Sequence, residues 1–287
     1  MEGIGPPLVT PFDEGGDVSE RRLRELVSWL ETRGVDFLVA CGSNGEAELL
    51  TADERTRVIE VVADAASVPV VAGTGHPGLR ETLDATARAA AAGADAALVV
   101  TPFYYEHDQA TLADYYRAVA DAAELPVYLY SVPKYTGVRL APATVADLAT
   151  HPNVAGMKDS AGDVGSFTRT RQRTTDADFD LLVGSGSVLA PALDAGAAGG
   201  VLALANVAPA AATDVYETHA DDPAAARAAA TELVELNHAV TATHGVAGLK
   251  YAMRRRGAPA GYPRRPHGPV DEAAKTALDE LLDTLES

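Results

Sequence analysis

Short runs rich in Val, Leu and Ile alternate with longer amphipathic stretches, and the alternation repeats eight times before the pattern changes. Strand candidates lie near residues 4–9, 37–40, 70–72, 96–100, 127–130, 154–157, 181–183 and 201–203. Helical spacing of apolar residues marks 19–32, 52–66, 79–92, 112–123, 142–149, 164–173, 188–195 and 209–219. Brief apolar runs bounded by turn residues suit strands buried on both faces, and strands joined through crossover helices pair in parallel. Eight such right-handed units close most naturally into a (β/α)8 TIM barrel, an α/β fold whose structural competitor is an open doubly wound sheet.

Punctuation supports these boundaries. Thr51 with Glu54 has the spacing of a capping box, and Ser19 stands where a helix N-cap is expected. Pro69 and Pro126 precede strands, where they stop a helix without removing a central ladder donor. Gly34 and Gly93 fall at expected helix C-caps. Beyond residue 222 the pattern becomes helical only, over 223–243, 246–255 and 270–285, with a Gly/Pro-rich loop at 259–269. A catalytic barrel over residues 1–221 with a C-terminal helical appendage over 222–287 is therefore expected, and 287 residues suffice for one well-buried core.

In a barrel of this kind the reacting groups come from the C-terminal ends of the strands, because that rim is open while the interior is filled. Only four lysines are present: Lys134 in a loop after Pro133, Lys250 in a helical stretch, Lys275 on the last helix, and Lys158, which alone ends an apolar strand. Apolar surroundings disfavour the charged form of an amine, and a lysine, unlike an arginine, can give up its proton and attack a carbonyl. A salt bridge to the adjacent Asp159 is the structural alternative. Tyr130 ends the preceding strand, one βα unit earlier, where a phenol could pass protons to and from an imine. Tyr128 shares its side of the strand, so either tyrosine could instead be core. After the second strand, Gly42-Ser43-Asn44-Gly45-Glu46 has the glycines of a backbone N–H nest for a carboxylate, although the same residues are ordinary turn chemistry.

Charge and composition narrow the partners. A formal net charge of −18 argues against nucleic acid, whose phosphates such a surface repels. No apolar run approaches the ~20 residues needed to cross a bilayer, and the first residues lack a basic segment followed by an apolar one. A cytoplasmic location without membrane partners is expected. The lone Cys41 reads as a buried thiol. The seven histidines form no His-x-x-x-His pair, so no metal is expected, and Gly184-Ser-Gly186 lacks the third glycine of a dinucleotide loop. No cofactor is implied, since an imine on a lysine is itself an electron sink. The acidic, lysine-poor, alanine-rich surface fits a salt-adapted organism, or a genome favouring Arg and Ala codons.

Four motifs occur in the order of one superfamily: Gly42-Ser43-Asn44-Gly45-Glu46, Tyr130-Ser-Val-Pro133 with Thr136-Gly137, Gly156-Met-Lys158-Asp159-Ser160, and Gly199-Gly200-Val201 leading to Ala205-Asn206. From about Pro6 to Asn206 the chain resembles the dihydrodipicolinate synthase/N-acetylneuraminate lyase superfamily of pyruvate-dependent class I aldolases. The resemblance implies that Lys158 forms an imine with pyruvate and that Tyr130 relays protons to and from it. It also implies that Gly42, Ser43 and Asn44 hold the pyruvate carboxylate, with Ser43 extending the relay. Tyr104 is similar to a relay tyrosine donated by a neighbouring subunit, which implies a homo-oligomer of at least two copies, tetrameric in the usual arrangement. Gly184 and Val201 match positions lining the pyruvyl pocket.

One departure bears on the second substrate. Synthases of the superfamily carry an arginine two residues after the proline of Tyr-x-x-Pro, where it grips the carboxylate of aspartate semialdehyde; this chain has Tyr135 there, with Arg139 nearby as a substitute. Tyr135 and Arg139 are accordingly the candidate contacts for the second substrate. The motif wording looks more like 4-hydroxy-2-oxoglutarate and 2-keto-3-deoxy sugar-acid aldolases. The first expectation is thus cleavage of 2-keto-3-deoxygluconate, its 6-phosphate, or a related 4-hydroxy-2-oxo acid to pyruvate and an aldehyde. The alternatives are 4-hydroxy-tetrahydrodipicolinate synthase, condensing pyruvate with aspartate semialdehyde, and a silent barrel that only binds a sugar acid.

Overall fold

In the computed structural model, which describes residues 1–286, eight parallel strands form one sheet: β1 (Gly3–Gly5), β2 (Leu38–Ala40), β3 (Val70–Gly73), β4 (Ala96–Val100), β5 (Val127–Ser131), β6 (Val154–Asp159), β7 (Asp180–Val183) and β8 (Gly199–Val201). Each of β2 to β7 pairs with the next in sequence, and β8 returns to β1. The remaining gap closes where Leu8 N–H donates to Val39 O at 2.9 Å and Val39 N–H donates to Pro6 O at 3.1 Å. Helices follow the strands on the outside: Glu20–Glu31, Ala52–Ala65, Leu79–Ala91, Gln109–Ala122, Pro142–Leu148, Val164–Arg173, Leu189–Asp194 and Pro209–Asp221. The fold is a (β/α)8 barrel.

Two-residue alternation sorts the strand residues into two cores. Phe37, Val39, Val71, Ala96, Leu98, Tyr128, Tyr130 and Leu182 pack together inside the barrel, while Leu38, Ala72, Val99, Leu129, Met157 and Leu181 pack outward against the helices. Met157 being outward sets Gly156 and Lys158 inward. Gly156 is required there, because a Cβ would stand 2.5 Å from the Tyr128 ring.

Some boundaries differ from the sequence expectation for identifiable reasons. β1 ends at Gly5 and not near residue 9, since Pro6 and Pro7 lack the N–H a ladder needs. β8 covers Gly199–Val201, two residues early, because its glycines accept a close approach that side chains forbid: a Cβ on Gly199 (φ +154) would lie 1.9 Å from Gly3 O. Thr51 and Glu54 form the expected capping box, but Ser19 occupies its N-cap position without a side-chain cap. The helix expected from residue 112 starts at Gln109, capped by Asp108 Oδ1 accepting Thr111 N–H at 2.8 Å.

After the barrel, the expected helix over 223–243 is broken into Pro223–Glu232, Val234–His238 and a π-turn, Ala239–Thr243. Gly245–Arg255 and Glu272–Glu286 then pack on each other. Through the π-turn and Gly245-Val246 this helical region reaches the C-terminal mouth of the barrel. Among the described residues no helix is long and apolar enough to cross a membrane.

Candidate active site

Lys158 and Tyr130 are register partners on adjacent strands, both inward, and each is 5% exposed. The Lys158 Nζ lies 4.4 Å from the centroid of the Tyr130 ring. Tyr130 OH and Ser43 Oγ are 3.5 Å apart, with either hydroxyl able to donate. These three residues line a cavity of about 220 Å3 at the C-terminal mouth, together with Asn44, Ser160, Gly184 and Val201. A larger space of about 540 Å3 adjoins it, sharing Ser43, Tyr130, Tyr135 and Val246; Lys158 lines only the smaller one.

The two alternatives left open by sequence are resolved by direction. Asp159 does not pair with Lys158: consecutive strand residues face opposite ways, and the Asp159 Oδ1 accepts Ala161 N–H at 2.8 Å. Burial pushes its carboxyl above the ordinary range. Tyr128 is committed to the other end of the barrel, where its hydroxyl donates to Asp180 Oδ2 at 2.6 Å. Burial, with the Asp180 carboxylate, raises this phenol well above its ordinary value, so it holds its proton. Tyr130 is left as the phenol beside the lysine.

The first 3-10 turn after β2, Ser43–Gly45, is closed by Gly45 N–H donating to Gly42 O at 2.9 Å. The N–H groups of Ser43 and Asn44 come too early in this turn to have an acceptor within it, and both residues line the cavity. Left-handed backbone flanks the turn at Cys41 and Glu46, each with φ 54. Cys41 is buried as expected, and burial raises its thiol to about 12.

The other sequence candidates are placed unevenly. Gly184 and Val201 line the cavity, and a Cβ at Gly184 would collide with Ser160 Oγ, which is buried without a partner. Tyr135 stands half-exposed at the mouth, between the two cavities. Arg139 is not brought to the Lys158 cavity, because its Nη1 is held by Asp163 Oδ2 at 2.6 Å. Tyr104 lies outside its own chain's site, 86% exposed with φ 79, its ring edge-on to Tyr105.

Sequence reasoning passed over four residues on this wall. Ser160 follows directly from the Lys158-Asp159-Ser160 motif. Thr241 and Val246 come from the helical region and carry no local signal. Lys134 is a larger omission. It reaches the cavity with its Nζ 3.3 Å from Thr241 O and 5.5 Å from the Tyr135 ring centroid, and among the described residues it is the only cation besides Lys158 on that wall.

A model of the dihydrodipicolinate synthetase family matches residues 1–285. A 4-hydroxy-tetrahydrodipicolinate synthase of Methanothrix thermoacetophila is 36% identical, over 98% of this chain and 96% of its own length. A protein of Halobacterium salinarum named as an uncharacterized DapA-like lyase is 39% identical, over 99% and 94%. Among solved structures, YagE of E. coli K12 in complex with pyruvate superposes with a TM-score of 0.95 at 33% identity, over 100% of this chain and 99% of that one. The chloride-inhibited dihydrodipicolinate synthase of Acinetobacter baumannii complexed with pyruvate gives 0.94 at 33%, over 98% of both chains.

Proposed function

The chain belongs to the dihydrodipicolinate synthetase family, whose members are pyruvate-dependent carbon–carbon lyases of the class I aldolase type, and from that premise we propose that it condenses pyruvate with aspartate semialdehyde through an imine on Lys158. The observation that carries the imine is the pairing of Lys158 with Tyr130 in register, both inward and both buried. Lys158 Nζ attacks C2 of pyruvate, and loss of water from the carbinolamine gives the imine, for which Tyr130 and Ser43 move the protons. Ser43 and Asn44 N–H groups hold the carboxylate, Gly42 before them lining only the adjoining larger space; Gly184 and Val201 shape the wall behind it. Loss of a C3 proton gives an enamine that attacks the aldehyde carbon, and Tyr130 protonates the new alkoxide. The amino group of the second substrate then displaces Lys158 and closes the ring.

The choice of second substrate rests on relatives named as the synthase and matched over 96% and 94% of their length, which favours this reaction over the sugar-acid cleavage that the motif wording puts first. Lys134 supports it chemically. With Tyr135 at the usual arginine position and Arg139 tied to Asp163, the ammonium of Lys134 is the available anchor for a second carboxylate. Tyr135 favours a second reading, cleavage of a 2-keto-3-deoxy sugar acid, whose hydroxyls need no cation. Both reactions are to be assayed side by side with 2-keto-3-deoxygluconate, its 6-phosphate and aspartate semialdehyde, in the wild type and Lys134→Ala. A charge-assisted hydrogen bond is worth roughly 1.5–3 kcal/mol, so Lys134→Ala is expected to raise the aspartate semialdehyde KM about 10- to 150-fold with little change for pyruvate. Faster cleavage of either sugar acid than condensation would give the second reading precedence.

Assembly belongs to the same proposal. Tyr104 is too far out to serve its own site, so its place in the relay is in a neighbouring copy, in a dimer or a tetramer of two dimers. Sedimentation is expected to show at least a dimer, and a fully active monomer would reject this role.

A further inference from the structure

The cradle that faces the cavity is an awkward piece of backbone. Four residues, 42–45, run between two non-glycine residues in left-handed conformation, Cys41 and Glu46. Such conformations persist only where surrounding contacts over-determine them. At Glu46 those contacts are unusually complete. Its side chain is fully buried, with Oε1 accepting the Lys250 ammonium at 2.5 Å and Oε2 accepting Arg264 N–H at 2.8 Å and facing His267 Nδ1 at 3.1 Å. Lys250, also fully buried, donates its other two protons to Thr10 O at 2.7 Å and Tyr262 O at 2.8 Å. All three of its donors are used. Thr10 completes the circuit by donating its hydroxyl to Gly45 O at 2.7 Å. Thr10, Glu46 and Tyr262 therefore meet at one ammonium, which lies 240 residues of sequence from Thr10 and 204 from Glu46.

Neither Glu46 nor Lys250 lines the Lys158 cavity; they stand one layer behind Ser43 and Asn44, which do. We infer that the Glu46–Lys250 ion pair is a positioning device for the substrate carboxylate, through which the helix Gly245–Arg255 fixes the direction of the Ser43 and Asn44 N–H groups. The inference rests on the proposed function, in which those groups bind the carboxylate of pyruvate. Its consequence is specific: breaking the pair weakens recognition of the carboxylate and leaves the amine chemistry of Lys158 alone.

The test uses Glu46→Gln/Lys250→Met, which leaves no unpaired buried charge, and Thr10→Val, a milder cut at the Gly45 tie. Borohydride trapping is titrated with pyruvate and with methyl pyruvate, which lacks the carboxylate charge, on protein verified as folded by circular dichroism. The double variant is expected to need at least 10-fold more pyruvate for half-maximal trapping, to reach the same extent at saturation, and to trap methyl pyruvate as the wild type does. Thr10→Val should shift pyruvate about two- to fivefold in the same selective way, and decides the matter if the double variant does not fold. Unchanged half-saturation, or equal losses for the acid and the ester, would overturn the inference and leave the pair a purely structural one. A wild type that traps no pyruvate would reject the proposed function, and this inference with it.

Discussion

Strand alternation gives Lys158 its surroundings. Between outward-facing Met157 and Asp159, it projects into the barrel mouth beside Tyr130, in a place where an ammonium has no carboxylate partner among the described residues. The candidate lysine was legible because only one of four stands at a strand end, a property that period-two patterning exposes directly. The place of Lys134 on the cavity wall was not legible, since its Nζ meets Thr241 O across 107 residues of sequence. The Glu46–Lys250 pair was hidden for the same reason, with 204 residues between partners. At this scale Tyr130→Phe is the informative change. It should leave the fold and the capture of pyruvate on Lys158 in place while turnover falls ~10²- to 10⁴-fold, the usual worth of general acid–base catalysis. Near-full turnover in the variant, measured by steady-state kinetics, would make Tyr130 a core residue only.

Elements decided by local chemistry are legible in the sequence, and those decided by tertiary contacts are not. The capping box at Thr51 and Glu54 is local and formed as expected, whereas the single helix expected over 223–243 is broken at Leu233 and ends in a π-turn whose residues line the cavity. The Gly/Pro-rich loop at 259–269 is docked by Arg264, whose guanidinium grips both oxygens of Glu54 at 2.8 and 2.6 Å. Those hydrogen bonds hold the Glu54 carboxyl down to about 2, from an ordinary 4.5. A carboxylate depressed in the folded state contributes stability above its unfolded value and loses it as the pH falls toward the folded one. Glu54→Gln should accordingly cost roughly 1–3 kcal/mol at neutral pH. The difference in thermal stability from the wild type should shrink steadily between about pH 5 and pH 2. A gap independent of pH across that window in thermal melts would show that the Arg264 contact contributes nothing through charge.

For the whole molecule, eight strand and helix alternations specified a closed parallel barrel, and the motifs at four strand ends specified a pyruvate enzyme; both follow from patterns that repeat along the chain. What the pattern could not carry is the mouth of the barrel. There the helical region after residue 222 supplies part of the cavity wall, and its Lys250 pairs with Glu46 beside the 42–45 turn. One covalent bond is central to the proposed reaction, that between Lys158 Nζ and C2 of pyruvate. Incubating the protein with pyruvate and borohydride, then mapping the modified peptide by mass spectrometry, tests it directly. The adduct should fall on Lys158 alone and vanish in Lys158→Ala; a label on Lys134 or Lys250, or none at all, would contradict it.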